Sequence, residues 1–208
     1  ERFPSRRRLA LTATPKRADG LPLEVYMGEI VYEYFRSVNI TIRQPRCSFV
    51  PRNCEYAEST QRMNRVCQNK ERNEWLAALI LEEKATSRVL VLSNRVNQLE
   101  ELAKLCGPSS GVVVGSTKAG DRQSIIESSN PLLCSMQIAG EALDCSCTTL
   151  IYASPPGISK RIVKQSSGRI TRGAGADMVA RPLIVDPVDE KVPILVRQAA
   201  QRKRLITS

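Results

Sequence analysis

The sequence contains no histidine among its 208 residues. This absence excludes Ser-His-Asp and Cys-His catalysis, and metal sites with histidine ligands, within the chain. The phosphate-loop pattern G-x-x-x-x-G-K-[ST] is also absent, and Gly115-Ser-Thr-Lys118 lacks its order. No Asp-Glu pair follows an apolar strand to hold Mg²⁺, because Asp189-Glu190 precedes the last predicted helix. The chain therefore has no triphosphate cradle of its own.

Aromatic residues are scarce, at 4% of the sequence, whereas hydrophobic residues make up 42%, so the predicted core is aliphatic. No run of 18 apolar residues occurs, which predicts no membrane span and no membrane partner. The seven cysteines are odd in number and form no C-x-x-C pair. Cys134, Cys145 and Cys147 lie among apolar or small residues, which is typical of reduced core thiols. We therefore expect an intracellular, reducing compartment, cytoplasm or nucleus, and no metal site.

Positive charge is in excess, since 31 Lys and Arg face 21 Asp and Glu, a net charge of +10. Such an excess favours a polyanionic partner, most simply nucleic acid. A solvated basic surface is the alternative. The C-terminal Arg202-Lys-Arg204 is expected to be a solvated end of this kind.

Strands and helices alternate through the second half of the sequence. Short extended segments, Arg8–Ala13 and Gly28–Phe35, come first, and a helical pattern from Glu58 to Lys84 has a polar break at Gln68-Asn-Lys70. The alternation predicts βαβ units and a doubly wound parallel sheet with helices on both faces. Predicted strands are 88–93, 111–114, 132–134, 149–153 and 183–185, and predicted helices are 96–105, 121–128, 159–172 and 192–204.

Ligands of such sheets bind at the carboxyl ends of the strands. Four segments follow strands there, and three carry a cation: Ser93-Asn-Arg95, Gly115-Ser-Thr-Lys118 with Arg122, Gln137–Asp144, and Gln165-Ser-Ser-Gly-Arg-Ile-Thr-Arg172. In the last segment, Arg169 and Arg172 are three residues apart, which places both guanidiniums on one side of a helix. Paired guanidiniums suit phosphate oxygens, because they are always charged and donate in a planar fork.

These segments, in this order, resemble the motifs of superfamily 2 helicases and translocases. Leu11-Thr-Ala-Thr-Pro15 is similar to motif III, Val89–Arg95 to motif IV, Ala139–Asp144 to motif V, and Gln165–Arg172 to motif VI. The resemblance runs from Arg8 to about Val185 and lacks motifs I, Ia and II. It implies a RecA-like α/β fold, preceded by a strand-containing remnant of the first lobe. The expected domains are the end of the first lobe with motif III (1–36), a connector with a strand or two (37–57) and the second lobe (58–208).

The resemblance also implies roles for individual residues. Arg169 and Arg172 would act as catalytic arginine fingers on ATP, which with Mg²⁺ would be held mainly by the first lobe of the same protein. For ATP binding and coupling, Gly140 would lie near the γ-phosphate, and Asp144 would accept from the ribose or tie motif V to motif VI. Gln165 would contact motif III, where Thr12 and Thr14 couple ATP hydrolysis to lobe movement. Contact with the phosphate backbone of a tracking strand is implied for Ser93, Asn94, Arg95, Gly115, Arg122, Gln137 and Ile138. This segment alone would be inactive as an ATPase.

The stretch from Leu11 to Gly20, with Gln165 opening motif VI, is more similar to the DNA-directed branch than to the DEAD-box RNA helicases. That branch includes XPB-type, phage and large DNA virus transcription-release helicases, and implies DNA rather than RNA and a viral transcription protein. One departure is Ala142, where motif V usually has glycine. A non-enzymatic nucleic-acid-binding module that kept the lobe fold remains the alternative.

Structural roles also remain open for the same residues. Arg169 or Arg172 could pair with a helix-end carboxylate, and Asp144 could cap a turn. Ser93 and Asn94 could cap the following helix, and Arg122 could be a solvated helix residue.

Overall fold

The computed structural model describes residues 32, 39–49, 54, 57–141, 143, 145–171 and 182–207. The chain divides into two compact units, Glu1–Val38 and Asn39–Ser208. The predicted strands Arg8–Ala13 and Gly28–Phe35 lie outside the described residues, Tyr32 excepted.

The second unit is built around a six-stranded parallel sheet in the order β1-β7-β6-β3-β5-β4. A separate parallel pair joins β2 to β8. The strands are β1 (Thr41–Arg43), β2 (Arg46–Cys47), β3 (Val89–Ser93), β4 (Gly111–Val113), β5 (Leu132–Ser135), β6 (Thr149–Tyr152), β7 (Leu183–Val185) and β8 (Val188–Asp189). The helices are α1 (Ser59–Cys67), α2 (Lys70–Lys84), α3 (Val96–Cys106), α4 (Ala119–Ser128), α5 (Met136–Glu141), α6 (Lys160–Thr171) and α7 (Pro193–Thr207).

The central strand β3 shows why the sheet is covered on both faces. Its run Val-Leu-Val-Leu-Ser is buried throughout, and alternate side chains of a strand point to opposite faces. Leu90 and Leu92 belong to one hydrophobic cluster, and Val89 and Val91 to a second. A continuous apolar run is what a parallel strand between two layers of helices requires.

The two clusters assign the helices to the two faces. The first contains Ile126 of α4 and Ile170 of α6, together with α5. The second contains Leu76 of α2 and Leu99 of α3. The predicted doubly wound sheet, with helices on both faces, is confirmed.

Two local features differ from or sharpen the sequence prediction. The polar break at 68–70 separates two helices, because the side chain of Asn69 accepts a hydrogen bond from the Arg72 N–H at 2.8 Å and caps α2. Helix α5 was not predicted. It is only six residues long, too short for its period to be read from the sequence.

Gly111 at the start of β4 has no room for a side chain. A Cβ placed there would lie 2.0 Å from the Ser129 Oγ and 2.7 Å from the Ile125 Cγ2. We expect Gly111→Ala to lower the free energy of unfolding by about 1–3 kcal/mol, because β4 or α4 must shift. Urea denaturation measures this. Gly115→Ala is the matched control, since nothing lies within 4 Å of its Cβ position, and equal losses in both variants would contradict the packing argument.

All seven cysteines are free and buried, as predicted for Cys134, Cys145 and Cys147. No helix in the described ranges is long and apolar enough to cross a membrane.

Candidate nucleic-acid and nucleotide edge

The candidate residues gather where the parallel strands end. Because every neighbouring pair in the six-stranded sheet is parallel, all carboxyl ends lie at one edge, here called the strand-end edge. The loops after β3, β4, β5 and β6 all emerge there, and α6 begins after the β6 loop.

The segment after β3 is held by Ser93. This side chain is fully buried, its hydroxyl donates to Gln98 Oε1 at 2.7 Å, and it accepts from the Arg95 N–H at 3.0 Å. The Asn94 N–H donates to the Ser154 hydroxyl at 2.8 Å, and the Asn94 side chain is exposed. The structure therefore places Ser93 as an anchor of the turn and Asn94 at the surface.

The side chain of Arg95 is half-buried and lies against α1. Its Nε donates to Asn64 Oδ1 at 2.6 Å, and a terminal nitrogen donates to the Asn94 carbonyl at 3.1 Å. A guanidinium has five N–H donors. The two bonds orient the group and leave further donors for a ligand.

The loop after β4 is organised by Arg122. Its Nε donates to the Thr117 carbonyl at 3.0 Å, and a terminal nitrogen donates to the Gly115 carbonyl at 3.2 Å. Gly115 is exposed with open space around its Cα. Arg122 is half-buried, so it is not the freely solvated helix residue that was one of the alternatives.

Helix α5 follows β5 directly and carries two more candidates. Gln137 is exposed, whereas Ile138 is partly buried and packs against the first hydrophobic cluster. Gly140 lies in α5.

Helix α6 carries the motif VI segment and bonds to the motif V segment. Arg169 is 5% exposed, and one of its terminal nitrogens donates to the Leu143 carbonyl at 2.7 Å. Gln165 is half-buried and lines a small pocket with Leu92, Met136 and Ile162. The structure thus brings Gln165 and the ends of β3 and β5 together. Thr12, Thr14, Asp144 and Arg172 lie outside the described residues.

The thiol of Cys145 lies close to this junction. A hydrogen bond from the Cys147 side chain lowers the pKa of Cys145 to about 7, against the opposing effect of burial, and the positive charges of Arg88 and Arg169 act in the same direction as the hydrogen bond. The pKa of Cys147 is raised by the same bond and by burial. The described residues contain no cluster of three or more His, Cys, Asp or Glu that could hold a metal ion.

Residues 71–174 match the helicase conserved C-terminal domain. The chain belongs to this family. Together with the fold, the match supports the C-terminal lobe of a superfamily 2 helicase. A search of curated protein sequences gave no match.

Solved structures similar to this helicase domain share its fold at low sequence identity. T4 UvsW is 12% identical with a TM-score of 0.66, over 81% of this chain and 39% of UvsW. The C-terminal domain of the DEAD-box protein Dbp5 is 12% identical with a TM-score of 0.55, over 79% of this chain and 86% of that one. The E. coli DEAD-box protein SrmB, solved bound to RraA, is 15% identical with a TM-score of 0.52, over 80% and 85%. The predicted RecA-like fold is confirmed.

Behind the strand-end edge, the helicase domain contains a buried polar network that the sequence did not reveal. Arg72, fully buried, forms an ion pair with Asp189 through Nε–Oδ1 at 2.6 Å and a second bond at 3.1 Å. It also donates to the Ala153 carbonyl at 2.7 Å. Gln98 continues the network, because its amide donates to Asn73 Oδ1 at 3.0 Å while its oxygen accepts from Ser93. The turn after β3 is thereby tied to α2 and β8.

A second buried ion pair fixes α7 at the same edge of the helicase domain. Arg202 is 1% exposed and pairs with Asp186, its terminal nitrogen lying 2.8 Å from Oδ1. Gln44, just after β1, donates to Asp186 Oδ2 and to the Ala199 carbonyl, both at 2.9 Å. The expectation of a solvated end at 202–204 is therefore wrong for Arg202, because its charge is neutralised by an acid just after β7.

Proposed function

We propose that this domain is the second lobe of an ATP-dependent nucleic-acid helicase or translocase. It would complete the ATP site of a first lobe and contact the backbone of a tracking strand. The observation that carries the proposal is that motif IV, the Gly115–Arg122 loop and the motif VI helix meet at one sheet edge in a helicase C-terminal fold.

The strand-contacting part consists of the exposed groups at this edge. Asn94, Gln137 and the Gly115 backbone face solvent. Arg95 and Arg122 are oriented by hydrogen bonds within the protein, and these bonds do not use all of their N–H donors. Ser93 and Ile138 would act by holding these segments in place. Contacts of this kind read phosphates rather than bases, as a translocase requires. DNA as the substrate, and a virus-type transcription role, rest on the motif resemblance.

The nucleotide part would be built on motifs V and VI. Arg169 and Arg172 would reach the γ-phosphate of ATP held by the first lobe, with Gly140 near it, and Asp144 would accept from the ribose or tie motif V to motif VI. Gln165 would couple to Thr12 and Thr14 in motif III. Since Arg169 is nearly buried and donates to the Leu143 carbonyl, its guanidinium would have to become accessible to the phosphate when the lobes close around ATP.

A non-enzymatic nucleic-acid-binding module is the second candidate. The bond from Arg169 to Leu143 gives this arginine a structural reason to be present, and Ala142 departs from motif V. ATP hydrolysis by the longest natural form of the protein, with and without single-stranded DNA, separates the two candidates. Hydrolysis stimulated by DNA supports the motor, and no hydrolysis with any nucleic acid supports the binding module.

The 208-residue chain should bind single-stranded DNA weakly and hydrolyse no ATP. We expect its affinity to fall steeply between about 50 and 200 mM salt, because phosphate contacts release counterions. Fluorescence anisotropy of a labelled oligonucleotide measures the affinity and its dependence on salt, and phosphate release measures ATP hydrolysis. Arg95→Ala and Arg122→Ala should each reduce the salt slope by about one.

Lys104→Ala is the matched control for these variants, since Lys104 is exposed on α3, away from the strand-end loops. Binding that does not change with salt would contradict the backbone-contact proposal. An equal loss of slope in Lys104→Ala would show that overall charge, not the edge, sets the affinity.

A further inference from the structure

Helix α7, the last helix among the described residues, lies at the strand-end edge. Its middle turns lie over the carboxyl ends of β1 and β7, because Gln44 and Asp186, which directly follow those strands, contact Ala199 and Arg202. Arg202 also donates to the Gly157 carbonyl, in the loop after β6, at 3.3 Å. Helix α7 therefore covers one half of the strand-end edge, while the segments after β3, β4 and β5 form the other half.

The outward side of α7 is basic. The helix carries four Lys or Arg and no Asp or Glu. Leu195, Ala199 and Arg202 face inward and are buried, whereas Arg197 and Arg204 are exposed. Asp186, which contacts this helix, is already paired with Arg202, so it does not offset the exposed cations.

Helices α2 and α3, which pack in the second hydrophobic cluster, differ from α7 in charge. Helices α2 and α3 together carry six Asp or Glu and four Lys or Arg. The excess of positive charge is therefore not spread evenly over the domain, and α7 adds cations to the edge that already holds Arg95 and Arg122.

The residue types of α7 indicate which kind of polyanion it could bind. It contains no aromatic residue, so it offers no stacking platform for unpaired bases. Its only exposed large apolar side chain is Val196, whereas a membrane-surface helix needs a broad apolar side. Cations without stacking groups or an apolar stripe fit the phosphates of a duplex.

The spacing of the two exposed arginines also fits a duplex. Arg197 and Arg204 are seven residues apart, nearly two turns, so they project from the same side about 10 Å apart along the helix axis. This separation is close to the ~12 Å width of the major groove, and two guanidiniums could therefore meet phosphates on opposite strands. Exposed Gln201 lies between them and can donate to the backbone.

We propose that the outward side of α7, with Arg197 and Arg204, is a docking surface for the phosphate backbone of duplex nucleic acid, beside the path of the tracking strand. This surface rests on the proposed function, because it presumes a nucleic-acid substrate. It names a duplex as a second substrate element, bound by a helix outside the helicase motifs.

The test compares a blunt 20-base-pair DNA duplex with a single strand of the same length, by anisotropy with the 208-residue chain. Arg197→Ala/Arg204→Ala should weaken duplex binding roughly ten-fold and reduce its salt slope by about two, with less than about two-fold change for the single strand. Lys70→Ala/Lys104→Ala removes the same charge from exposed positions of α2 and α3 and should leave duplex binding nearly unchanged. Circular dichroism melting checks that α7 remains folded in both variants.

Each other outcome overturns the docking surface. Equal losses for duplex and single strand, or equal losses in the control variant, would show a general charge effect. Loss of binding to vesicles of anionic lipid, with duplex binding intact, would assign the surface to a membrane. A wild-type chain that binds the single strand but no duplex would remove the docking surface and leave the proposed function standing, whereas binding of neither would remove both.

Discussion

Replacing Arg172 by alanine is expected to reduce ATP turnover of the longest natural form of the protein by at least about 10³-fold. An arginine finger stabilises the charge that develops on the transferred phosphoryl group, and its removal typically costs 10³- to 10⁵-fold in rate. Steady-state phosphate release in saturating single-stranded DNA measures the effect. Thermal unfolding of the variant should match that of the wild type, since a finger acts on a group outside its own domain.

Arg169→Ala should give a different combination of effects. Its guanidinium bonds to the Leu143 carbonyl inside the domain and is nearly buried, so the variant should lose stability as well as turnover. Arg169→Lys keeps the charge but not the planar fork, and should recover stability more than rate. Unchanged turnover in Arg172→Ala would remove it as a finger, and unchanged turnover in a folded Arg169→Ala would leave that residue a purely structural role.

Replacing Asp189 by alanine is expected to lower the free energy of unfolding by about 3–5 kcal/mol. Arg72 would remain buried with its charge uncompensated, which is the costly way to break an internal ion pair. Such a loss is a large fraction of the total stability of an ordinary domain. Urea denaturation of the 208-residue chain, followed by circular dichroism, gives the difference directly.

Two further variants make the result specific. Arg72→Met/Asp189→Leu removes both charges and should recover much of the loss, because apolar residues often replace a buried pair without penalty. Glu74→Ala removes the exposed pair with Lys70, and should change stability by less than about 1 kcal/mol. A loss in Asp189→Ala no larger than that of Glu74→Ala would mean that the pair is not buried in solution.

Most strands and helices were predictable because each is indicated by the pattern of apolar residues within its own short segment of the sequence. Strand β3 was predicted from one continuous apolar run. Helix α3 was predicted over 96–105, and in the structure it ends before Gly107, which has a φ of 89°. Strand β7 was predicted with the bounds that the structure has. Helix α5 and strand β8 were missed, since six and two residues are too few to show a period.

The polar interior was not predictable, because its partners are distant in sequence. Arg72 and Asp189 are 117 residues apart, and no spacing rule relates them. Arg72 lies in a helix rich in charge, where a solvated role is the natural expectation, and Arg202 was misjudged for the same reason. The net positive charge predicted a polyanionic partner, but only the fold distinguishes the buried arginines from the exposed Arg197 and Arg204.

The place of β7 in the sheet also bears on how far the folded domain extends. The family match stops at residue 174, yet β7 lies between β1 and β6 in the sheet. A polypeptide cut there would deprive β1 of the strand to which it pairs in the described part of the chain, leave Arg72 without Asp189, and turn β6 into an edge strand. Since Leu150 and Ile151 of β6 are fully buried, that edge would be apolar and unpaired, the usual starting point for intermolecular strand addition and aggregation. The cooperative folding unit therefore extends some thirty residues beyond the helicase motifs, through α7 to Thr207.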